Sequence, residues 1–237
     1  MNIEIVYKDN NIIVINKPAE LITHQKNIND KQSSVVDWII LNYPEFKNIG
    51  EPFIASGAEV PRAGIVHRLD KDTSGLIIIA KNNDAFYFLK KQFQDHTIKK
   101  SYQALVYGRP KNPSGIINAP LGRIGMKRTV QMTGKKLIDG KDSITEYKTI
   151  AKFQKYTLLD VLPKTGRTHQ IRVHLKSIGC PVVGDIIYAP KGWQKPQGLN
   201  RLFLHAYKIQ FLTPDKKVLT LEADLPEDLQ NVLNKLQ

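Results

Sequence analysis

The sequence predicts an α+β fold, in which short strands outnumber helices and follow one another along the chain. Of its 237 residues, 41% are hydrophobic, enough to bury a sizeable core. Most apolar residues lie in short alternating or β-branched runs between turn residues, and only a few segments have helical spacing. Runs of consecutive strands with separate helices are typical of the α+β class.

The amino-terminal part of the chain alternates strand and helix patterns. The tripeptide Lys8-Asp9-Asn10 predicts a turn between two strands, while Ser34 and Asn82 or Asn83 are candidate helix caps. The predicted elements are strands over 3–7, 11–16 and 76–80, helices over 34–43 and 82–94, and a proline- and glycine-rich connecting loop over 44–64.

The remaining part of the chain is richer in strands. A helix is predicted over 167–179, because Thr168 lies near its start and Gly179 just past its end. Its apolar positions share one face, with Arg172 on the shoulder, and its amino terminus favours an anion. The other predicted elements are strands over 99–108, 143–151, 156–162, 202–211 and 218–223, and a helix over 226–236.

The net charge is the most informative feature of the composition. The formal charge is +13 and the pI is near 9.7, so the protein attracts polyanions, and nucleic acid is the first partner to consider. We expect no membrane partner, because there is no basic amphipathic helix with an aromatic face and no long apolar span. The amino terminus lacks signal-peptide and transit-peptide patterns, which predicts a cytoplasmic protein.

Cysteine and histidine usage argues against a metal site. Cys180 is the single cysteine, which excludes an intramolecular disulfide and a thiolate-rich metal site, and it reads as a small buried hydrophobe. His169 and His174 are five residues apart, which suits neither one helix face nor one strand face. We therefore expect no metal.

A charged loop over 67–76 precedes the apolar run over 77–80. Within it, Asp70 is flanked by Arg68 and Lys71, and the following strand offers a rigid support. Asp70 could therefore act as a nucleophile, as a general base or beside a phosphate. The alternative is a polar turn in which Asp70 only pairs with its cationic neighbours.

The densest basic region lies between residues 99 and 141, where Asp139 is the only acid. Its middle, over 122–129, carries Arg123, Lys127 and Arg128 and lacks sustained periodicity, which predicts a mobile loop or short hairpin suited to phosphate contacts. A solvated charged surface is the alternative. Upstream, Tyr102 is an amphipathic ring on a predicted strand, where it could equally pack on the sheet.

Three segments of the chain match motifs of one family in order and spacing. They are His67–Leu76, Lys100–Gly108 and Leu162–His174, preceded by Asn16-Lys17-Pro18 and His24. Together they resemble the RluA family of RNA pseudouridine synthases over nearly the full chain. The resemblance implies the pseudouridine synthase fold, with a mixed, mainly antiparallel sheet flanked by helices and an active-site cleft across it.

The resemblance also sets expectations for cofactors, organisation and partners. The reaction that it implies is an isomerisation, so we expect no cofactor. Some relatives carry a small RNA-binding domain of the S4 type before the catalytic part, whereas this chain begins at the catalytic segment. We therefore expect one catalytic domain over 1–237 without an S4 domain. It should act as a monomer without an obligate protein partner and capture ribosomal or transfer RNA with its own basic surface, with large-subunit ribosomal RNA as the first expectation.

The same resemblance implies roles for individual residues. Asp70 is the catalytic carboxylate, either as nucleophile on the sugar or as base at the neighbouring sugar carbon. Tyr102 stacks on a flipped uracil, and Arg172 pairs with Asp70 and keeps it ionised. Arg68 fills the space that the base leaves. Contacts to the RNA backbone, or ordering of the site, fall to Arg167 and His169.

Two other classes of function fit parts of the sequence. Asp72-Thr73-Ser74-Gly75 is the short signature of an aspartic protease, but no second copy is present and the apolar run follows the signature instead of preceding it. A non-catalytic RNA-binding factor in ribosome assembly would explain the charge. It would not explain why Asp70, Tyr102 and Arg172 all match the family.

Overall fold

A computed structural model describes residues 2–25, 27, 29–55, 57–125, 127–130 and 137–236. The chain separates into two compact units, the first formed by 1–99 with 206–223 and the second by 100–205 with 224–237. Each unit combines antiparallel strand pairs with helices, which confirms the predicted α+β class. The expectation of one catalytic domain over 1–237 stays a prediction.

Strands predominate among the regular elements. In chain order the strands are β1 (Glu4–Lys8), β2 (Ile12–Lys17), β3 (Phe53–Ala55), β4 (Ala58–Val60), β5 (Ser74–Ala80), β6 (Lys99–Tyr107), β7 (Ser114–Asn118), β8 (Leu121–Ile124), β9 (Lys127–Val130), β10 (Ile138–Lys141), β11 (Ile144–Lys152), β12 (Tyr156–Pro163), β13 (Leu204–Leu212) and β14 (Val218–Glu222). The helices are α1 (Val35–Asn42), α2 (Asn83–Gln94), α3 (Gln170–Ser177) and α4 (Glu227–Asn234), with a 3₁₀ turn at Pro44–Asn48. None of the described helices is long and apolar enough to cross a membrane.

The sheet of the first unit is built on an isoleucine-rich centre. Its order is β1-β2-β5-β13, and β14 pairs with the part of β13 that belongs to this unit. The predicted hairpin of β1 and β2 is confirmed, and the Asp9 carboxylate accepts hydrogen bonds from the amides of Asn11 and Ile12 at 2.7 and 2.8 Å. β2 and β5 pair antiparallel and are almost wholly buried, as expected of β-branched runs.

Both predicted helix caps of the first unit are confirmed. Ser34 and Asp37 form a reciprocal capping box at the start of α1, and the Asn82 side chain accepts from the Ala85 amide at the start of α2. The prediction of a plain connecting loop over 44–64 is wrong. This stretch contains the 3₁₀ turn and the β3–β4 hairpin, whose three-residue strands are too short to show a period.

The second unit packs two apolar clusters around its sheet, ordered β6-β12-β11-β7. Ala104 and Val106 of β6 belong to the cluster that includes α3, while Leu105 and Tyr107 belong to the cluster that includes α4, following the two-residue period of a strand. Cys180 is buried in the α3 cluster, as predicted, and burial raises the pKa of its thiol.

The middle of the basic region is a hairpin, one of the two predicted alternatives. β8 pairs antiparallel with β9, placing Arg123 opposite Arg128, and β10 pairs with the other edge of β8. Lys127 is the first residue of β9. Lys135 and Lys136, which the sequence places in the same basic region, lie outside the described residues.

Helix α3 is shorter than predicted. It begins at Gln170 instead of near Thr168, because His169 has a left-handed backbone with φ of 59°. The Gln170 side chain accepts hydrogen bonds from the Thr165 hydroxyl and from the Arg167 amide, at 2.7 and 3.0 Å, so this loop has its own hydrogen-bond network. The predicted stop is confirmed, since Gly179 follows the helix with φ of 78°.

Gly75 is required by its backbone conformation and by its neighbour, and its substitution tests the fold. Its φ is 124°, and a Cβ there would lie 2.3 Å from the backbone oxygen of Ala206. We expect Gly75→Ala to lower the free energy of unfolding by about 2 kcal/mol or more, measured by urea denaturation.

Gly108→Ala is the matched control, because Gly108 has φ of 70° with nothing within 4 Å of an added Cβ. It should cost only the backbone strain of about 1 kcal/mol. Equal losses in the two variants would contradict the close approach at Gly75.

Candidate functional site

The loop that carries Asp70 is held by a buried lysine. Lys17, at the end of β2, is fully buried, and its ammonium donates hydrogen bonds to the carbonyls of Pro18 and Leu21, both at 2.8 Å, and of Lys71 at 3.1 Å. Three donors thus meet three carbonyl oxygens, which is the full capacity of an ammonium group. The backbone immediately after Asp70 is therefore fixed to the centre of the sheet.

The backbone before Asp70 is fixed as well. The hydroxyl of Thr23 donates to the carbonyl of Leu69 at 2.9 Å and accepts from the Leu69 amide at 3.2 Å. The amide of Thr73 donates to the carbonyl of Asp70 at 3.2 Å, which closes a turn before β5. Asp70 itself is partly exposed, and these hydrogen bonds fix the backbone on both sides of it.

Arg68 is exposed beside a neutral histidine. Its guanidinium lies 3.4 Å from Nε2 of His24. Burial, followed by the charges of Arg68 and Arg62, lowers the pKa of His24 to about 4. His24 is thus uncharged at neutral pH, and Nε2 accepts the hydrogen bond from Arg68.

Tyr102 lies in the second unit, on β6, opposite Val161 of β12. It is partly buried and packs against the α3 cluster, on the face it shares with Ala104 and Val106. The strand period had predicted this shared face. The ring is thus supported by the core of the unit and is still accessible to a ligand.

Arg172 is buried, which corrects its predicted place on the shoulder of the helix. Its side chain is 3% exposed and makes two hydrogen bonds to the fully buried carboxylate of Asp185, at 2.7 and 2.8 Å. Its guanidinium also lies over the ring of Tyr188, 5.0 Å from the centroid. The predicted pairing of Arg172 with Asp70 stays a prediction.

Asp185 receives enough hydrogen bonds to remain charged. Burial acts to raise its pKa, but the hydrogen bonds and charge of Arg172, together with the amides of Tyr188 and Ile187, hold the pKa below its usual range. The two amide bonds, at 3.0 and 2.9 Å, also fix the turn that follows. A charged Asp185 therefore holds the Arg172 guanidinium in one orientation.

The candidates Arg167 and His169 lie in the loop just before α3. The Nε of Arg167 donates to the Asp142 carbonyl at 3.3 Å. Nδ1 of His169 lies 2.8 Å from the hydroxyl of Tyr188. Tyr188 thus contacts both His169 and Arg172, which ties two candidate residues to one ring.

The basic hairpin is packed on the same helix. Leu121 of β8, Val130 of β9, Val173 of α3 and Tyr188 form one small apolar cluster. Arg123 is ion-paired with Asp139 of β10, so part of the charge of the hairpin is already neutralised. The cluster fixes the hairpin that carries Arg123, Lys127 and Arg128 beside the start of α3.

Sequence reasoning assigned no role to four residues that shape these sites. Lys17 and Asp185 act through distant partners, Tyr188 links several side chains, and burial lowers the pKa of Lys100 to about 8. The Lys100 ammonium lies 3.9 Å from the place of a Cβ on Gly166. Of these four residues, Asp185 has a visible signal in the sequence, because Gly184-Asp185 places an acid inside an apolar run. Among the residues searched, no three His, Cys, Asp or Glu side chains form a metal-binding group.

Comparison with known families decides the family of this chain. Residues 11–177 match the RNA pseudouridylate synthase family, which is well over half of the chain. The chain belongs to this family. The matched range contains Asp70, Tyr102 and Arg172, and it confirms the resemblance drawn from the three motifs.

Curated relatives in this family include enzymes named for the large ribosomal subunit. The chain is 36% identical to ribosomal large subunit pseudouridine synthase D of Nitrosomonas europaea over 241 residues, covering 99% of this chain and 65% of the relative. It is also 36% identical to the protein of the same name from Buchnera aphidicola over 245 residues, covering 99% and 73%. The chain thus spans about two thirds of the length of these relatives.

Solved structures of the family support the fold. Human RNA pseudouridylate synthase domain containing 4 superposes with a TM-score of 0.76 at 24% identity, covering 98% of this chain and 92% of that one. Human RNA pseudouridylate synthase domain containing 1 gives a TM-score of 0.74 at 24% identity, covering 98% and 87%. At this identity the likeness confirms the pseudouridine synthase fold and no more.

Removing Asp185 tests how strongly the second unit depends on the buried ion pair. We expect Asp185→Ala to lower the free energy of unfolding by about 3–5 kcal/mol, because it leaves the Arg172 guanidinium buried without its carboxylate. Urea denaturation followed by circular dichroism measures the change.

Asp228→Ala is the control, since Asp228 makes a similar two-bond pair with Arg201 but its side chain is 53% exposed. Its loss should be about 1 kcal/mol or less. A loss at Asp185 as small as that at Asp228 would show that the buried pair is not a major support.

Proposed function

We propose that this chain isomerises uridine to pseudouridine in structured RNA, with large-subunit ribosomal RNA as the substrate. The observation that carries the proposal is the loop around Asp70. A motif that matches the family is fixed by Lys17 on one side and Thr23 on the other, while Asp70 remains partly exposed. A partly exposed carboxylate on a rigid backbone suits catalysis at a sugar carbon.

The reaction exchanges one glycosidic bond for another within the same nucleotide. The bond from C1′ to N1 of uracil breaks, the base turns, and C1′ bonds to C5. The proton on C5 is lost and N1 gains one, so atoms and electrons balance without a redox partner. Asp70 takes part either by attack on C1′ or by removing a proton from C2′, and both routes remain open. The target base leaves the stack before it can turn.

The other candidate residues have complementary roles. Tyr102 stacks on the flipped uracil, for which its core-supported ring is suited. Arg172 stabilises the charge of Asp70, and Asp185 and Tyr188 fix its guanidinium. Arg68 enters the space that the base leaves.

RNA capture relies on the positive charge of the chain. The protein acts as a monomer in the cytoplasm. Arg123, Lys127 and Arg128 of the hairpin contact phosphates, and Arg167 and His169 contact the backbone or order the site. Relatives named for the large ribosomal subunit support ribosomal RNA as substrate. The same chemistry on transfer RNA is the second candidate, because the site chemistry at the uridine would be identical.

Asp70→Asn is the direct test of the reaction. Purified protein is incubated with unmodified ribosomal and transfer RNA, and pseudouridines are mapped by carbodiimide labelling and primer extension. We expect the rate to fall by at least about a hundredfold in the variant. RNA affinity should be kept, because the change removes a negative charge and no phosphate contact.

Asp72→Asn is the matched control, with the same change of charge two residues away. It should retain activity close to that of the wild type, whereas an aspartic protease signature would make Asp72 the essential residue. Binding to both RNAs without any modification by the wild type would favour the assembly-factor function instead.

The charge of Lys100 predicts a pH dependence. Burial lowers its pKa to about 8, so Lys100 is charged below that pH and neutral above it. We expect the single-turnover rate of the wild type to fall as the pH rises through about 8, because a cation in the motif that carries Tyr102 is lost.

Lys100→Arg keeps the charge over this whole range, because arginine does not lose its proton. Its rate should therefore decline less than that of the wild type at alkaline pH. Superimposable profiles of the two proteins would show that Lys100 is not the titrating group.

A further inference from the structure

Four side chains of the first unit form a continuous cluster that the proposed roles do not use fully. Arg68 contacts His24, whose ring meets the ring of Phe53 edge-on at 5.1 Å between centroids. On the other side of Phe53, the guanidinium of Arg62 lies 5.6 Å from the ring centroid. We call these residues, Arg68, His24, Phe53 and Arg62, the arginine–histidine cluster.

The backbone between the two arginines is well fixed. The amide of Ile65 donates to the carbonyl of Arg62 at 3.0 Å and closes a turn. Gly64 then exchanges backbone hydrogen bonds with Ile49 and Ala80, at 3.0 and 2.9 Å. Arg62 and Arg68 are therefore carried by one rigid backbone segment that is anchored to β5.

The arginines of the cluster lack the ion pairs that several other described arginines make. Over the described ranges, no carboxylate forms an ion pair with Arg62 or Arg68, whereas Arg123, Arg172 and Arg201 each have an aspartate partner. The two cations are close enough to His24 to disfavour its protonation. Two guanidinium groups around a neutral acceptor form a site that attracts an anion.

We propose that the arginine–histidine cluster binds the RNA backbone, with Arg62 contacting one phosphate of the strand that contains the target uridine. This inference rests on the proposed function, because RNA supplies the phosphate. The planar fork of arginine matches a phosphate with two parallel hydrogen bonds, and the Phe53 ring attracts the Arg62 guanidinium at 5.6 Å and holds it near the surface of the cluster. Nε2 of His24 lies 3.4 Å from the guanidinium of Arg68 and so links this second arginine to the Phe53 ring.

Arg62→Gln tests the phosphate contact. Binding of a fluorescein-labelled RNA stem–loop with uridines in its loop is measured by fluorescence anisotropy over a potassium chloride series. Loss of one phosphate contact should reduce the slope of log K against log salt by about 0.7–0.9, and weaken binding about five- to eightfold at 0.1 M salt. Arg62→Lys keeps the charge and should retain most of the slope.

Lys91→Ala removes the same charge from the same unit and serves as the control. Its ammonium is paired with Asp95 at 2.9 Å, so we expect its slope to match that of the wild type. Equal slopes for Arg62→Gln and the wild type would overturn the proposal. So would an equal decrease in Arg62→Gln and Lys91→Ala, because the effect would then be one of net charge alone.

A parallel assay of pseudouridine formation separates this inference from the proposed function. If the wild type modifies RNA while the slope of Arg62→Gln is unchanged, the phosphate contact is wrong and the enzyme activity stands. If the wild type binds the stem–loop but modifies neither ribosomal nor transfer RNA, the activity is wrong. A reduced slope for Arg62→Gln would then still support the phosphate contact.

Discussion

The first unit depends on one buried ammonium group. Lys17 takes a charge out of water, which is costly unless every donor finds an acceptor, and its three carbonyl partners meet that condition. Because Lys17 lies opposite Gly75 in the pairing of β2 with β5, the same residue joins the centre of the sheet to the loop of Asp70. The backbone on both sides of Asp70 is therefore held by the fold, which supplies the rigidity that a catalytic carboxylate would need.

The second unit solves a similar problem with an ion pair. Arg172 and Asp185 are both buried, so each would be strongly destabilising without the other. The pair leaves the Arg172 guanidinium with a fixed plane, and Tyr188 covers one face of it. Because the guanidinium is already fixed, Arg172 would lose little conformational entropy on interacting with a second carboxylate. Such a preorganised charge gives stronger electrostatic stabilisation than one that must first reorient.

Local signals predicted the elements but not the contacts that shape the site. The hairpin of β1 and β2 and the caps at Ser34 and Asn82 depend on residues within a few positions, so they could be predicted from the sequence. The Lys71 carbonyl that accepts from Lys17 is 54 residues away. Every residue has a backbone carbonyl, so the sequence does not indicate which one a buried lysine will contact. The start of α3 was misplaced because a glutamine side chain organises the preceding loop and no threonine caps the helix. The candidate residues themselves came from motif resemblance, since periodicity says nothing of chemistry.

The arginines discussed above fall into two groups, those that are ion-paired with an aspartate and those that are not. Those paired with aspartates, such as Arg172 and Arg201, contribute to structure, and their charge is largely cancelled nearby. Arg62 and Arg68 have no ion pair among the described residues, and after burial their charges are the next causes of the low pKa of His24. In the proposal above a phosphate supplies the missing counter-charge, and a ligand that binds only the folded chain also stabilises it. Guanidinium groups that lack an ion pair in the free chain can receive their counter-charge from a phosphate, which is the physical reason to propose this cluster as a contact to the substrate.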